Sequence, residues 1–169
     1  MRLRAFLLAA AMLLPVSCDA MAGCSLAGTA EDVAQALMSP VPAAAVQTGS
    51  FGLKRDPVSG LVMVSTEVRW RVLPGSSVRA ALSGTVLSVR ETQTGYLIVL
   101  DHRDGLRSVY RGLGTGQVRA GTCVEQDAEL GRANGREIAF SLMRNGQYLD
   151  PMSLISESSH QVRLRKLAE

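Results

Sequence analysis

The chain has 169 residues and a mass of 18.0 kDa, and removal of a predicted export signal leaves about 145 residues, which excludes a two-domain enzyme. Hydrophobic residues make up 47% and charged residues 20%, with 16 glycines, so we expect a globular domain with many tight turns rather than a disordered chain. Without the signal the chain keeps 16 basic and 14 acidic residues, a net charge of +2, and we therefore expect no nucleic-acid partner.

Residues 1–22 are predicted to be a signal peptide. Two arginines precede an unbroken apolar run from Ala5 to Leu14, which is too short to cross a hydrocarbon core of about 30 Å. An A-x-A cleavage motif follows at 20–22. Lipobox-like sequences also end at Cys18 and Cys24, so the alternative is a lipid anchor on one of them. Both routes predict an exported protein of the periplasm or cell envelope.

The cysteines offer a second prediction about the exported chain. If Cys18 is lost with the signal, Cys24 and Cys123 remain as a pair in an oxidising compartment. A disulfide between them would close a loop of about 100 residues and contribute up to about 4.7 kcal/mol in the chain-entropy model. The alternatives are two free thiols, or a lipidated Cys24 with a buried Cys123.

Residues 23–45 are predicted to form a short helix and a linker. A capping-box pattern begins at Thr29, apolar residues follow at helical spacing to Leu37, and Ser39-Pro40 ends the helix. The stretch at 40–45 is expected to be a linker that is stiff at its prolines and otherwise structureless.

Residues 46–152 are predicted to form one all-β domain. Glycine recurs about every 8 to 12 residues between segments rich in Val and Leu, which is typical of short strands joined by tight turns. The candidate strands are Leu61–Val68, Val78–Ala81, Thr85–Arg90, Tyr96–Leu100, Leu106–Tyr110 and Glu137–Met143.

Turn signals separate these strands. Asp104-Gly105 predicts a two-residue turn that tolerates positive φ and closes the hairpin Tyr96–Leu106. Asn134-Gly135 and Asn145-Gly146 are similar signals. Residues 153–169 form a polar tail, for which we expect a solvated helix or a frayed segment.

Six segments of the β-rich region carry a family resemblance when they are taken in chain order. Gly49–Gly60 is similar to the pattern SGFGxRxDPxxG, Tyr110–Leu113 stands where YxHL is expected, and Glu137–Leu142 stands where HLHFEL is expected. The other three segments are Pro74–Val86, Gly95–Gly105, and Val118–Val124 with Leu130-Gly131. With Asn145–Pro151 in place of NGxxxDP, the region resembles the lysostaphin or LytM-type zinc metallopeptidases, which cut peptide cross-links in bacterial cell walls.

The resemblance implies an antiparallel sheet with a groove walled by loops, in an open barrel or sandwich. It also implies a zinc site in which an H-x-x-x-D pair and the second His of H-x-H bind the metal and leave a fourth position for water. Every such position is substituted in this chain. The H-x-x-x-D pair falls on Ser65 and Arg69 or on Thr66 and Trp70, and the remaining histidines fall on Gly112, Glu137 and Ala139. We therefore expect no catalytic residues, no metal and no cofactor.

The two histidines that the chain does have do not restore the site. His102 follows a predicted strand beside the Asp104-Gly105 turn, and we expect it to hydrogen-bond its own turn rather than bind a metal. His160 lies in the polar tail with only Glu157 at a ligand spacing, and we expect a solvated surface residue.

A domain that keeps the fold without the ligands can still bind through the groove. We expect Trp70 to be an aromatic anchor and the arginines to hold carboxylates; the alternatives are a Trp70 packed in the core and arginines on a solvated face. The predicted groove residues are Thr66, Arg69, Trp70, Arg111, Gly112, Arg136, Glu137 and Ala139.

The predicted function is that of a non-catalytic envelope protein that regulates or scaffolds peptidoglycan hydrolases such as an amidase. The alternative is a module that binds peptidoglycan itself without a hydrolase partner. A third reading, an active zinc endopeptidase with atypical ligands, stays open.

Overall fold

The computed structural model describes residues 37–155. Twelve strands lie in this range, and a single helical turn follows them at 151–155. The strands are β1 (Val46–Gly49), β2 (Gly52–Arg55), β3 (Val62–Ser65), β4 (Val68–Arg71), β5 (Ser77–Arg79), β6 (Gly84–Thr92), β7 (Gly95–Asp101), β8 (Leu106–Gly116), β9 (Cys123–Val124), β10 (Glu129–Ala133), β11 (Glu137–Arg144) and β12 (Gln147–Leu149). The predicted all-β fold is confirmed.

Ten of the strands form one antiparallel sheet. Its main order is β1-β4-β11-β8-β7-β6-β9, with β12 beside β11, and β10 paired with both β5 and β8. The remaining two strands, β2 and β3, pair only with each other and form a separate ribbon. Strands β4, β11 and β8 are thus adjacent in the middle of the fold, and the ribbon lies next to β4 along the chain.

The turns explain where the strands begin and end. Asn145-Gly146 has positive φ at both residues and joins β11 to β12, as predicted. The turn between β7 and β8 is longer than predicted, because Arg103, Asp104 and Gly105 all have positive φ and the hairpin closes through a His102 N–H to Leu106 carbonyl hydrogen bond. The predicted strand at 61–68 was also wrong, since the chain turns at 66–67 and divides it into β3 and β4.

The core lies on the inward face of the central strands. Val68 and Trp70 on β4, Tyr110 on β8 and Phe140 on β11 are buried. The ring centroids of Trp70 and Phe140 are 6.4 Å apart and those of Tyr110 and Phe140 are 5.1 Å apart. Offset aromatic contacts of this kind add to the free energy gained by burying the rings themselves.

The segment at 37–45 packs against this domain. Leu37 and Val41 are buried, and the Arg79 N–H donates to the Pro40 carbonyl oxygen. The expected structureless linker is therefore, in the described part, in contact with the core. The predicted signal peptide, most of the predicted helix and residues 156–169 with His160 lie outside the described residues. Within 37–155 no helix has the length and apolar character needed to span a membrane.

Candidate functional site

A cavity of about 390 Å³ lies between the β2-β3 ribbon and the outward face of the central strands. The turn at 66–67, which joins the ribbon to β4, lines the cavity together with strand residues. The lining residues are Lys54, Met63, Val64, Ser65, Thr66, Glu67, Arg69 and Arg111. The predicted groove residues Thr66, Arg69 and Arg111 therefore meet in one place.

Strand register explains how Arg69 and Arg111 come together. Ala139 on β11 pairs with Arg69 on β4 and with Arg111 on β8, so the three residues form a row across the sheet. Arg69 and Arg111 are exposed while Ala139 is half-buried. A third side chain contacts both arginines.

That third side chain is Glu67, which sequence analysis missed. Its Oε1 atom lies 2.7 Å from Nε and 2.6 Å from Nη2 of Arg69, and its Oε2 atom lies 3.7 Å from Nη1 of Arg111. The Glu67 side chain is only 13% exposed, so much of this contact is shielded from solvent. Alternation along β4 gives the signal that could have found it, since Glu67, Arg69 and Arg71 are spaced by two residues. We call Glu67, Arg69 and Arg111 the charge cluster.

Glu137 extends the charge cluster on one side. Its Oε1 atom is 3.7 Å from Nη1 of Arg69, and both side chains are about half exposed. With Lys54 from the ribbon, the cavity and its rim carry three cationic side chains and two carboxylates. The arrangement favours a ligand that brings its own negative charge.

The residues present do not fit a zinc ion. A protein zinc site needs three or four donors of the His, Cys or carboxylate type. Here two carboxylates converge, and each already contacts a guanidinium group that would repel a divalent cation. Among residues 37–155 no group of three His, Cys, Asp or Glu side chains could hold a metal ion.

Gly112, at the expected YxHL position, lies next to the carbonyl of Glu137. It is the extra residue of a β-bulge in β8, between Arg111 and Leu113, which pair with consecutive residues of β7. Its φ is +89°, and a Cβ atom there would lie 2.6 Å from the Glu137 carbonyl oxygen. A histidine would not fit at Gly112 without a shift of the backbone.

Two predicted groove residues lie elsewhere. Trp70 is 5% exposed and packs on Phe140 in the core, so its expected role as an anchor in the groove is wrong and the alternative of a packed strand residue is correct. Adjacent strand residues point to opposite faces, so Trp70 cannot share the outward face of Arg69. Arg136 lies before β11 and lines a second cavity together with Arg71.

His102 lies in a buried hydrogen-bond network rather than in the groove. Its Nδ1 is 2.8 Å from the Ser83 carbonyl oxygen and its Nε2 is 2.7 Å from Ser108 Oγ. Because a carbonyl oxygen only accepts, Nδ1 carries the proton of the neutral ring. Ser108 Oγ is 3.1 Å from the Tyr110 hydroxyl, which accepts the Ala81 N–H. The expected hydrogen bond from the ring to its own turn is replaced by bonds across the sheet.

The network is neutral near pH 7. Burial lowers the pKa of His102 below its ordinary value of 6.5, against the opposing effects of the Ser83 hydrogen bond and the Asp101 charge. Burial also raises the pKa of Tyr110 to about 12. Both side chains therefore act as uncharged links between β7, β8 and the loop at 81–83.

Cys123 begins β9 and is exposed. It takes part in a disulfide. Both other cysteines lie outside the described residues, so the pairing with Cys24 stays a prediction.

Comparison with known proteins places this geometry in a family context. Residues 64–151, just over half of the chain, match Peptidase family M23. Stage II sporulation protein Q of Bacillus subtilis strain 168 is 28% identical over 89 residues, which cover 47% of this chain and 31% of that protein. This chain therefore matches less than a third of that relative's length.

Solved structures share the fold. A zinc containing peptidase from Vibrio cholerae superposes with a TM-score of 0.62 and 24% identity, over 69% of this chain and 39% of the peptidase. A chain from the crystal structure of the SpoIIIAH and SpoIIQ complex superposes with a TM-score of 0.59 and 20% identity, over 69% of this chain and 98% of the other. One fold thus occurs both in a zinc peptidase and in a protein–protein complex.

Proposed function

The chain belongs to Peptidase family M23, and we propose that it is a non-catalytic, exported member that binds and regulates a peptidoglycan hydrolase. The observation that carries this proposal is the charge cluster. At the three positions where the family resemblance implies zinc ligands, this chain has Ser65 and Arg69, or Thr66 and Trp70, together with Ala139. Glu67 pairs with the nearby arginines instead. The surface is suited to bind charged groups rather than to activate water.

The chemistry of the cavity supports a ligand with carboxylates. Arg69 and Arg111 are each about half exposed, so their planar guanidinium groups can accept a second carboxylate from a partner. Lys54 lines the same cavity from the ribbon. A partner's acidic segment would share these cations with Glu67.

The ribbon beside the cavity supports a ligand that is also apolar. Leu53, Met63 and Val64 are 77%, 56% and 69% exposed, and the last two line the cavity. Exposed apolar side chains grouped in this way are typical of interaction surfaces. Together with the charge cluster, they suit an amphipathic segment with acidic and apolar side chains.

One structural comparison and two sequence features support a protein partner in the cell envelope. A structural relative was solved in the SpoIIIAH and SpoIIQ complex, so this fold can serve in a protein assembly. The predicted signal peptide and the family resemblance together support a role at the cell wall.

A dye-release assay on labelled sacculi tests the proposal. The mature protein is added to a panel of purified cell-wall amidases, and the release of dye is compared with each protein alone. We expect no release by the protein alone, and a several-fold stimulation of its partner amidase. Arg111→Glu should abolish the stimulation because it reverses one charge of the cluster. Arg107→Glu is the matched control, since it is also exposed on β8 but lies four residues away.

Other results would contradict the proposal. Dye release by the protein alone that stops on addition of a chelator would show an active metallopeptidase. Sedimentation with sacculi, without stimulation of any amidase, would favour the peptidoglycan-binding module instead. Equal loss of stimulation in the Arg107→Glu control would show that the charge cluster has no special role.

A further inference from the structure

A second cavity, of about 440 Å³, opens at the edge of the sheet where β1 begins and β4 ends. Its walls are largely apolar and include Ala45, Val46, Leu73 and Pro74. Leu73 and Val46 are 80% and 61% exposed. The volume lies within the range of about 300 to 1,000 Å³ that is usual for ligand pockets. We call this the edge pocket.

Backbone hydrogen bonds hold the edge pocket open in one shape. The Val72 N–H donates to the Arg136 carbonyl oxygen at 2.9 Å, which fixes the end of β4 to the segment before β11. The Ser76 N–H donates to the Leu73 carbonyl oxygen at 3.0 Å, and the Ala45 N–H donates to that of Pro42 at 2.9 Å. Both walls are therefore set before a ligand arrives, which lowers the entropic cost of binding.

Two guanidinium groups line the edge pocket without ion pairs. Within residues 37–155 neither Arg71 nor Arg136 has a carboxylate within 4.0 Å of its side-chain nitrogens, whereas Arg69 and Arg111 in the charge cluster both do. Glu137 is the cross-strand neighbour of Arg71, but its ion pair is with Arg69. No acidic residue lines the pocket itself.

We propose that the edge pocket is a second binding site, which takes an extended segment of a partner protein in which apolar side chains alternate with Asp or Glu. Charge complementarity assigns this occupant. The apolar walls need apolar side chains, and Arg71 and Arg136 at the same cavity need carboxylates that this part of the chain does not supply. The site is separate from the charge cluster and does not depend on the function proposed there.

Fluorescence anisotropy with a labelled, C-terminally amidated peptide tests the site. The probe is the alternating pentamer Leu-Glu-Leu-Glu-Leu, and the matched probe has Lys in place of each Glu. We expect saturable binding of the acidic probe only. The double variant Arg71→Ala with Arg136→Ala should weaken binding by about tenfold, because the charge pairs of two exposed arginines with the probe are lost. Leu73→Asp should weaken it further, since it places a carboxylate in the apolar wall.

Control variants distinguish the edge pocket from the charge cluster, and a loss of binding from a loss of folding. The double variant Arg69→Ala with Arg111→Ala should bind the acidic probe as the wild type does, and Arg119→Ala, at an exposed turn, should do the same. If the edge-pocket double variant does not fold, the single variant Arg136→Gln replaces it, because this side chain has no ion pair with any residue of 37–155.

Four results would overturn the proposal. The first two are a lack of saturable binding and equal binding of the Lys probe. The third is binding of the acidic probe that depends on Arg69 and Arg111 instead. The fourth is self-association of the chain, if the probe competes with it and Arg71→Glu disrupts it. Pelleting with anionic phospholipid vesicles that depends on Arg71 and Arg136, without binding of the peptide, would likewise assign the pocket to a lipid surface.

Discussion

The two faces of strands β4, β11 and β8 differ in almost every property. The inward face carries Val68, Trp70, Phe140 and Tyr110, all buried and in contact. The outward face carries the arginines of the charge cluster, half exposed and paired to carboxylates. Strand alternation keeps these two sets apart. The fold and the site are therefore specified by different residues, so the chemistry of the groove can change while the core stays the same.

The largest expected effect on stability comes from truncating a side chain on the inward face. Trp70→Ala removes a large buried ring that contacts Phe140, and we expect the free energy of unfolding to fall by about 3 to 5 kcal/mol. Denaturant unfolding followed by circular dichroism measures the loss. A loss of less than about 1 kcal/mol would be typical of an exposed side chain. Trp70 would then not belong to the buried inward face.

Much of the fold could be predicted because turn chemistry and alternation are local signals. Asn145-Gly146 marked its hairpin because both residues take positive φ. The division of the predicted strand at 61–68 could not be predicted, since Thr66-Glu67 is not a turn pair that favours positive φ. The length of the turn before Leu106 was missed because Arg103 also takes positive φ, which is uncommon for a residue other than glycine.

The candidate site was predicted only where the family motif and the alternation of side chains along the strand place the same residue in the groove. The motif leaves Arg69 and Trp70 as alternatives for one position, but adjacent strand residues face opposite sides, and Trp70 lies in the core. Glu67 was missed because the family pattern assigns no role to its position. Arg136 could not be separated from the groove without the tertiary structure, since it borders the other cavity, where its carbonyl oxygen accepts the N–H of Val72, a residue distant in sequence.

A smaller effect tests the buried imidazole ring of His102. Burial lowers the pKa of His102 below 6.5, so below that pH the unfolded chain binds a proton that the folded chain excludes. The free energy of unfolding should therefore fall as the pH drops from 7.5 to 5, by up to about 1.4 kcal/mol for each pH unit below 6.5 until the folded pKa is reached. His102→Gln should lose this part of the pH dependence.

Thermal unfolding of the wild type and His102→Gln across this pH range measures the effect. We expect the wild type to be the more stable at pH 7.5, because the variant disturbs the bonds to Ser83 and Ser108. The difference should narrow as the pH falls, since acid destabilises only the wild type through this ring. A gap that widens toward pH 5 would mean that His102 is protonated in the folded protein, and the network would then carry charge.

The smallest expected effect is on the outward face. Arg69→Ala removes the contacts to Glu67 and Glu137, yet the Arg69 side chain is half exposed, and an ion pair of an exposed side chain contributes only about 0.2 to 1 kcal/mol to stability. Arg71→Ala is the matched variant, two residues along β4 with no ion pair among the described residues, and its effect should stay within about 0.5 kcal/mol. Denaturant unfolding of both variants and of Glu67→Gln, alone and combined with Arg69→Ala, isolates the coupling energy between Glu67 and Arg69.

A coupling energy near zero would show that the charge cluster is free to exchange Glu67 for a ligand carboxylate. A loss from Arg69→Ala as large as that from Trp70→Ala would instead make the cluster part of the structural core, and the two faces would no longer be independent.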